Sequence, residues 1–210
     1  HREQNIRCDI EVLPLFSALS SHEYGSVQRL KRPSFLFVGR LTLSKGIVPL
    51  LNYFQKRPDL DLYIAGDGEL LARLKNQFSQ HRHIKFLGKV DRQTLVKLYK
   101  QSMALVFPSL APETFGLAIV EAFECGTPAI VHDSGGSSEL IEQTNAGFIY
   151  KTDEELEQAI NSLINEPALR SQLGKRARAA YQSRFTKGLH VDAYLALINK
   201  IKHKKRAVTS

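Results

Sequence analysis

Six short apolar runs, each leading into a helix-like stretch, are the feature that most limits what this 210-residue chain can become. The runs lie at residues 34–38, 60–65, 84–87, 103–107, 129–132 and 147–150. They are apolar nearly throughout, which predicts strands buried on both faces. Between them, helical spacing covers 47–56, 69–80 and 91–101, then a stretch from near Phe115 to the Gly126 stop, then 137–143. Asp91 is the expected N-cap of its helix. Strand–helix alternation of this length predicts an α/β fold, a Rossmann-like parallel six-stranded sheet with helices on both faces. Further helices are expected at 153–165, 167–184 and from 186 to about 202, the last crossing out of the domain.

The first 31 residues show no period and read as a linker or crossing segment, with a short extended piece at 10–16. The expected organisation is therefore 1–31 linker, 32–185 folded domain, and 186–210 C-terminal helix with a basic tail. The chain opens at His1 with neither an initiator Met nor a signal-peptide pattern, as expected of a piece of a longer protein. No apolar run approaches the ~18 residues of a membrane span.

Charge narrows the function classes. The net charge is +8, but Lys200, Lys202, Lys204, Lys205 and Arg206 form one terminal run, and removing those five from +8 leaves only +3 for the body. A nucleic-acid domain would stripe its basic residues across a folded face, so that class is set aside. The tail reads either as a solvated helix end or as a contact for an anionic membrane surface. Cys8 and Cys125 have no metal or redox spacing, and Cys125 reads as a small buried hydrophobe, which fits a reducing cytoplasm. His81, His83, His132 and His190 show no paired ligand spacing, so no metal is expected.

In an open α/β sheet the ligand sits at the carboxyl ends of the strands. The fourth strand's end leads through Pro108-Ser109 to Glu113-Thr114-Phe115-Gly116-Leu117-Ala118-Ile119-Val120-Glu121. A helix N-terminus there offers free amides around Phe115, Gly116 and Leu117 to a phosphate. Carboxylates beside a phosphate site make sense if the ligand also carries diols, since a carboxylate is a two-lobed acceptor for them. Capping by Glu113 and a solvated Glu121 would explain the same spacing. Leu117, Val120 and Phe123 are expected to face inward. After the first strand, Arg40 and Lys45 flank a loop and could together neutralise a diphosphate, although the loop lacks the P-loop pattern. Gly66-Asp67-Gly68, Lys89-Val90-Asp91 and Asp133-Ser134-Gly135-Gly136 with Glu139 complete the set, each alone explicable as a turn or cap.

Taken in order, these motifs together with Gly126-Thr127-Pro128 resemble the C-terminal, donor-binding half of GT-B retaining glycosyltransferases of family 4, over about residues 32 to 185. The resemblance implies a hexosyltransferase that moves a hexose from a nucleoside-diphosphate sugar, UDP- or GDP-linked, to a glycan or lipid-linked acceptor, with no cofactor or metal required. It implies that Arg40 and Lys45 hold the diphosphate, Glu121 accepts from the ribose and Glu113 lies by the transferred sugar. The amides of Phe115, Gly116 and Leu117 would cover the phosphates, Gly66 would line the site, and the Lys89-Val90 backbone would meet the base. An N-terminal acceptor-binding domain is the family's other half and is not in this sequence. The 13–16 stretch, Leu-Pro-Leu-Phe, also replaces the family's usual junction turn. The chain alone is therefore expected to lack turnover. The enzyme is expected in the cytoplasm, or at the inner membrane face. Two other readings stand beside it: a UDP-sugar 2-epimerase of the same architecture, against which the Glu-x7-Glu spacing speaks, and a non-catalytic nucleotide-sugar-binding module.

Overall fold

A computed structural model of the protein describes residues 11–208, except 26 and 29, with side chains as far as 202. Cys8 and Ile10 lie outside the described residues, as do the side chains of Lys204, Lys205 and Arg206. The sheet comprises β1 (Ser34–Val38), β2 (Asp61–Ala65), β3 (Ile84–Gly88), β4 (Ala104–Phe107), β5 (Ala129–His132) and β6 (Gly147–Tyr150). All are parallel, in the order β3-β2-β1-β4-β5-β6.

The helices are α1 (Ile47–Phe54), α2 (Leu71–Gln77), α3 (Arg92–Gln101), α4 (Leu117–Glu124), α5 (Gly136–Thr144), α6 (Asp153–Asn165), α7 (Pro167–Arg184) and α8 (Lys187–Val208). Successive strand residues point to opposite faces. Accordingly Phe35, Phe37, Val106 and Ile130 pack under α1, α2 and α6, against Leu51, Phe54, Leu74 and Ile160. Leu36, Leu105 and Val131 pack against Tyr99, Val120, Phe123, Leu140 and Ala177 of α3, α4, α5 and α7. Burying one such side chain contributes about 2 kcal/mol, so two full faces explain why short apolar runs suffice to define the sheet.

Several expectations need correction. Helix α4 starts at Leu117, two residues later than expected, and Leu117 is 44% exposed, so Ile119 takes the inward place alongside Val120 and Phe123. Helix α8 runs on to Val208 because its lysine-rich end still favours helix. Residues 11–16 join no strand, and the polar stretch after them is docked: Ser17, Leu19 and Ser21 are buried. Their anchor is Glu124, 2% exposed at the end of α4. It accepts from Ser17 Oγ at 2.5 Å and from the Ser21 amide at 2.5 Å. Lys100 adds bonds to the carbonyls of Ser21 (2.9 Å), Tyr24 (2.5 Å) and Gly25 (2.9 Å). Asp91 caps α3 as expected, accepting from the Thr94 amide at 2.7 Å. Cys125 is half-buried, and desolvation pushes its thiol up to about 12, so it stays protonated.

Candidate functional site

The strand order reverses between β1 and β4, and the loops leaving these two strands face each other across that switch point. They are stitched together. The amides of Leu110 and Ala111 donate to the Ser44 carbonyl at 2.9 and 3.2 Å. Gly46 lies so close to Pro108 that a Cβ would sit 1.8 Å from its carbonyl oxygen, and its φ of 66° is one that glycine alone adopts readily.

Across this crevice Lys45 Nζ forms an ion pair with Glu113 Oε1, both side chains largely shielded. Ser109 Oγ donates to the same oxygen at 2.6 Å. Burial pushes the Glu113 carboxyl up, but the bonds from Lys45 and Ser109, with the charges of Lys45 and Arg40, outweigh it and hold the group below its ordinary value. Arg40 itself is exposed, and its guanidinium makes no hydrogen bond or ion pair among the described residues. It lines a 430 Å³ cleft with Gly39, Gly66, Asp67, Lys89 and Val90. The loops at the rim of this cleft are tied by backbone bonds: the Leu41 amide donates to Asp67 O (2.9 Å) and the Gly66 amide to Gly88 O (2.8 Å).

The loop after β5 buttresses the Glu113 segment from behind. The Gly136 amide donates to Glu113 O at 2.9 Å, and Ser134 Oγ to Ser109 O at 2.6 Å. Gly116, in the left-handed conformation, leads into α4, whose first amides at Leu117 and Ala118 have no carbonyl one turn back within the helix. Glu121 is half-buried and receives the Tyr99 hydroxyl at 2.9 Å on Oε2. Its pKa is raised, by burial first and by the nearby Glu124 charge, against the pull of the Tyr99 bond.

The nine residues singled out from the sequence thus fall into groups. Lys45 and Glu113 meet directly, with Arg40 in electrostatic reach; Arg40, Gly66 and Val90 share the cleft; Gly116 and Leu117 start α4, and Glu121 lies one turn in. The Phe115 ring, as distinct from its amide, packs edge-on against Phe185 at 5.9 Å beside a separate 330 Å³ cavity. Sequence reasoning missed Ser109 as a partner of Glu113, Tyr99 as the partner of Glu121, and buried Glu124. Only Glu124 left a visible signal, an acid set between Phe123 and Cys125 in an otherwise apolar stretch. Among the described residues, no three His, Cys, Asp or Glu side chains gather as a metal site, and no helix is long and apolar enough to cross a membrane.

Residues 25–180 match the family model of glycosyl transferases group 1. The chain belongs to this family. An uncharacterised glycosyltransferase of Methanocaldococcus jannaschii, MJ1607, is 34% identical over 151 residues, covering 68% of this chain and 38% of that protein. The D-rhamnosyltransferase WbpZ of Pseudomonas aeruginosa is 34% identical over 158 residues, covering 72% and 41%. This group 1 glycosyltransferase chain thus spans about two-fifths of the length of such curated relatives. Among solved structures, sucrose-phosphate synthase of Thermosynechococcus elongatus superposes with a TM-score of 0.79 at 23% identity, over 92% of this chain and 53% of that one. HepE of Anabaena, in complex with UDP-glucose, gives 0.71 at 25% identity over 81% and 49%. The sheet is that of a Rossmann-like half of the GT-B glycosyltransferase fold.

Proposed function

We propose that this chain is the nucleotide-sugar-binding lobe of a retaining hexosyltransferase. The observation that carries the reading is the joining of Lys45 to Glu113 across the switch-point crevice, beside a cleft that Arg40 lines with no hydrogen bond or ion pair among the described residues. Cations serve a diphosphate there, and carboxylates serve diols. The base would enter the cleft along Val90 and Gly66, the ribose would meet Glu121, and the diphosphate would span Arg40, Lys45 and the first amides of α4. The sugar would then lie by Glu113.

In the transfer, the bond from the sugar's anomeric carbon to the phosphate oxygen breaks, with its electron pair passing to the phosphate. Arg40 and Lys45 would stabilise that developing charge, the task for which fixed cations suit. The acceptor hydroxyl oxygen bonds to the same carbon, and its proton would pass to the departing phosphate oxygen. Neither step calls on a cofactor in this reading. The acceptor, a glycan or lipid-linked sugar, would be held by a companion lobe, and the chain alone would bind donor without turnover. UDP or GDP is the expected leaving group; HepE, among the structural neighbours, was crystallised with UDP-glucose.

Exposed Val191, Tyr194, Leu195 and Ile201, which share one side of α8, would pack on that lobe, and the basic run after Lys200 would touch an anionic membrane surface at the cytoplasmic face. Vesicle co-sedimentation that is abolished by salt would support this contact, and salt-insensitive binding would oppose it. For the donor site, the test is thermal unfolding with millimolar UDP, GDP and ADP. A raised melting temperature with at least one, and none with the free nucleosides, is expected. An unmoved melting temperature with all three would remove the reading for this chain.

A further inference from the structure

Tyr99 is fully buried in α3, yet its hydroxyl reaches across to α4. It lies 2.9 Å from Glu121 Oε2 and 3.1 Å from the Ala118 carbonyl oxygen. Both oxygens are acceptors, so the phenol's single proton is shared between them. The residue's other end is tied to the exit of the same helix, where Thr127 Oγ1 donates to the Tyr99 carbonyl at 2.7 Å. Tyr99 is thus clamped at both ends between α3 and α4. Burial pushes its phenol well above the ordinary value, so it remains a donor.

A phenylalanine would fill this space with no hydroxyl to satisfy, and a buried hydroxyl is favourable only with a partner. One of its two partners here is an oxygen of a carboxylate whose other oxygen, Oε1, makes no hydrogen bond among the described residues. One lobe of Glu121 is held and the other is left for something outside the chain.

We propose that Tyr99 is a positioning residue: by anchoring Glu121 Oε2 it fixes the carboxylate so that Oε1 accepts from the ribose hydroxyls of a nucleoside diphosphate. Tyr99 thereby determines selectivity for ribose over deoxyribose, while touching no part of the ligand. This rests on the donor-site reading above, and the test separates the two.

The test is calorimetric titration of the 210-residue chain with whichever of UDP, GDP and ADP it binds, and with the matching 2′,3′-dideoxynucleoside diphosphate. The wild-type chain should prefer the ribonucleotide by about tenfold or more, the worth of a hydrogen bond to a charged acceptor. Tyr99→Phe should lose most of that preference while keeping its affinity for the dideoxy ligand, which also serves as the control for folding. In a Glu121→Gln background the same change should cost no further selectivity, because the two residues act as one unit. If Tyr99→Phe keeps the wild-type ratio, or loses both ligands alike, the inference is overturned and the hydroxyl is structural. A wild-type chain that binds both ligands equally would instead remove the ribose role of Glu121, and one that binds neither would remove the donor site itself.

Discussion

At its C-terminal end α4 is closed: Glu124 is buried and bonded to Ser17 and Ser21, Arg178 reaches its carbonyl, and Thr127 locks the exit onto Tyr99. At its N-terminal end the same helix is open. Gly116 supplies no side-chain cap, Leu117 is exposed, and among the described residues the Arg40 guanidinium and Glu121 Oε1 make no hydrogen bond or ion pair. The closed end is held by buried bonds, whereas the polar groups of the open end are within reach of water and so of a ligand that displaces it. Acids serve both ends, and residue type does not separate the roles; the bonding does.

The comparison is broken most easily at Glu124. Glu124→Ala strips two buried donors of their acceptor and should lower stability by about 3 kcal/mol, read by chemical denaturation, with nucleotide affinity per folded molecule unchanged. A loss below 1 kcal/mol would mean that the closed end is not closed. Next in size, Arg40→Ala or Lys45→Ala should weaken nucleoside-diphosphate binding about 10- to 100-fold, or ~1.5–3 kcal/mol, by titration calorimetry. Stability in Arg40→Ala should move by less than about 0.5 kcal/mol, as at an exposed position, whereas Lys45→Ala also removes the shielded ion-pair partner of Glu113 and should cost more. A loss of stability in Arg40→Ala as large as its loss of binding would place that cation in the scaffold.

Glu121 sharpens the contrast through pH. Its pKa is raised in the fold, and only the ionised form accepts from two hydroxyls without donating, so ribonucleotide affinity should fall as pH drops through that raised value. The decline should begin at a higher pH than an unshifted glutamate would give and steepen to at most about tenfold per pH unit. Dideoxynucleotide binding followed over the same range should lack this component. Glu113, held below its ordinary value, should stay ionised throughout and add nothing to the decline. The smallest effect lies away from both ends. Thr152 caps α6 by accepting from the Glu155 amide at 3.3 Å, and Thr152→Ala should cost about 1 kcal/mol of stability with no effect on any ligand.

Much of this architecture is legible in the chain because burial on both faces writes itself as apolar runs: β1, β5 and β6, and α6 and α7, begin and end where the pattern says. The loops at the carboxyl edge follow from strand order alone, which is why Arg40, Gly66 and Val90 could be gathered from distant stretches. What stayed hidden depends on long-range partners. Glu124 and Glu113 are both acids near an apolar stretch, and nothing local says that one meets serines a hundred residues upstream while the other meets Lys45. Tyr99 sits at a position that reads as core, and only its distance from Glu121 gives the hydroxyl a task. Residues 17–25 lack a period because their order comes from side-chain anchors rather than from a repeating face.

The most direct measurement is isothermal titration of the chain with UDP, GDP and ADP, repeated on Glu121→Ala. Binding of one diphosphate, weakened about tenfold or more in a variant that remains folded, is the predicted result. A folded wild-type chain that takes up none of the three, or a Glu121→Ala variant that binds as tightly as the parent, would contradict the account of the open end of α4 as a donor site.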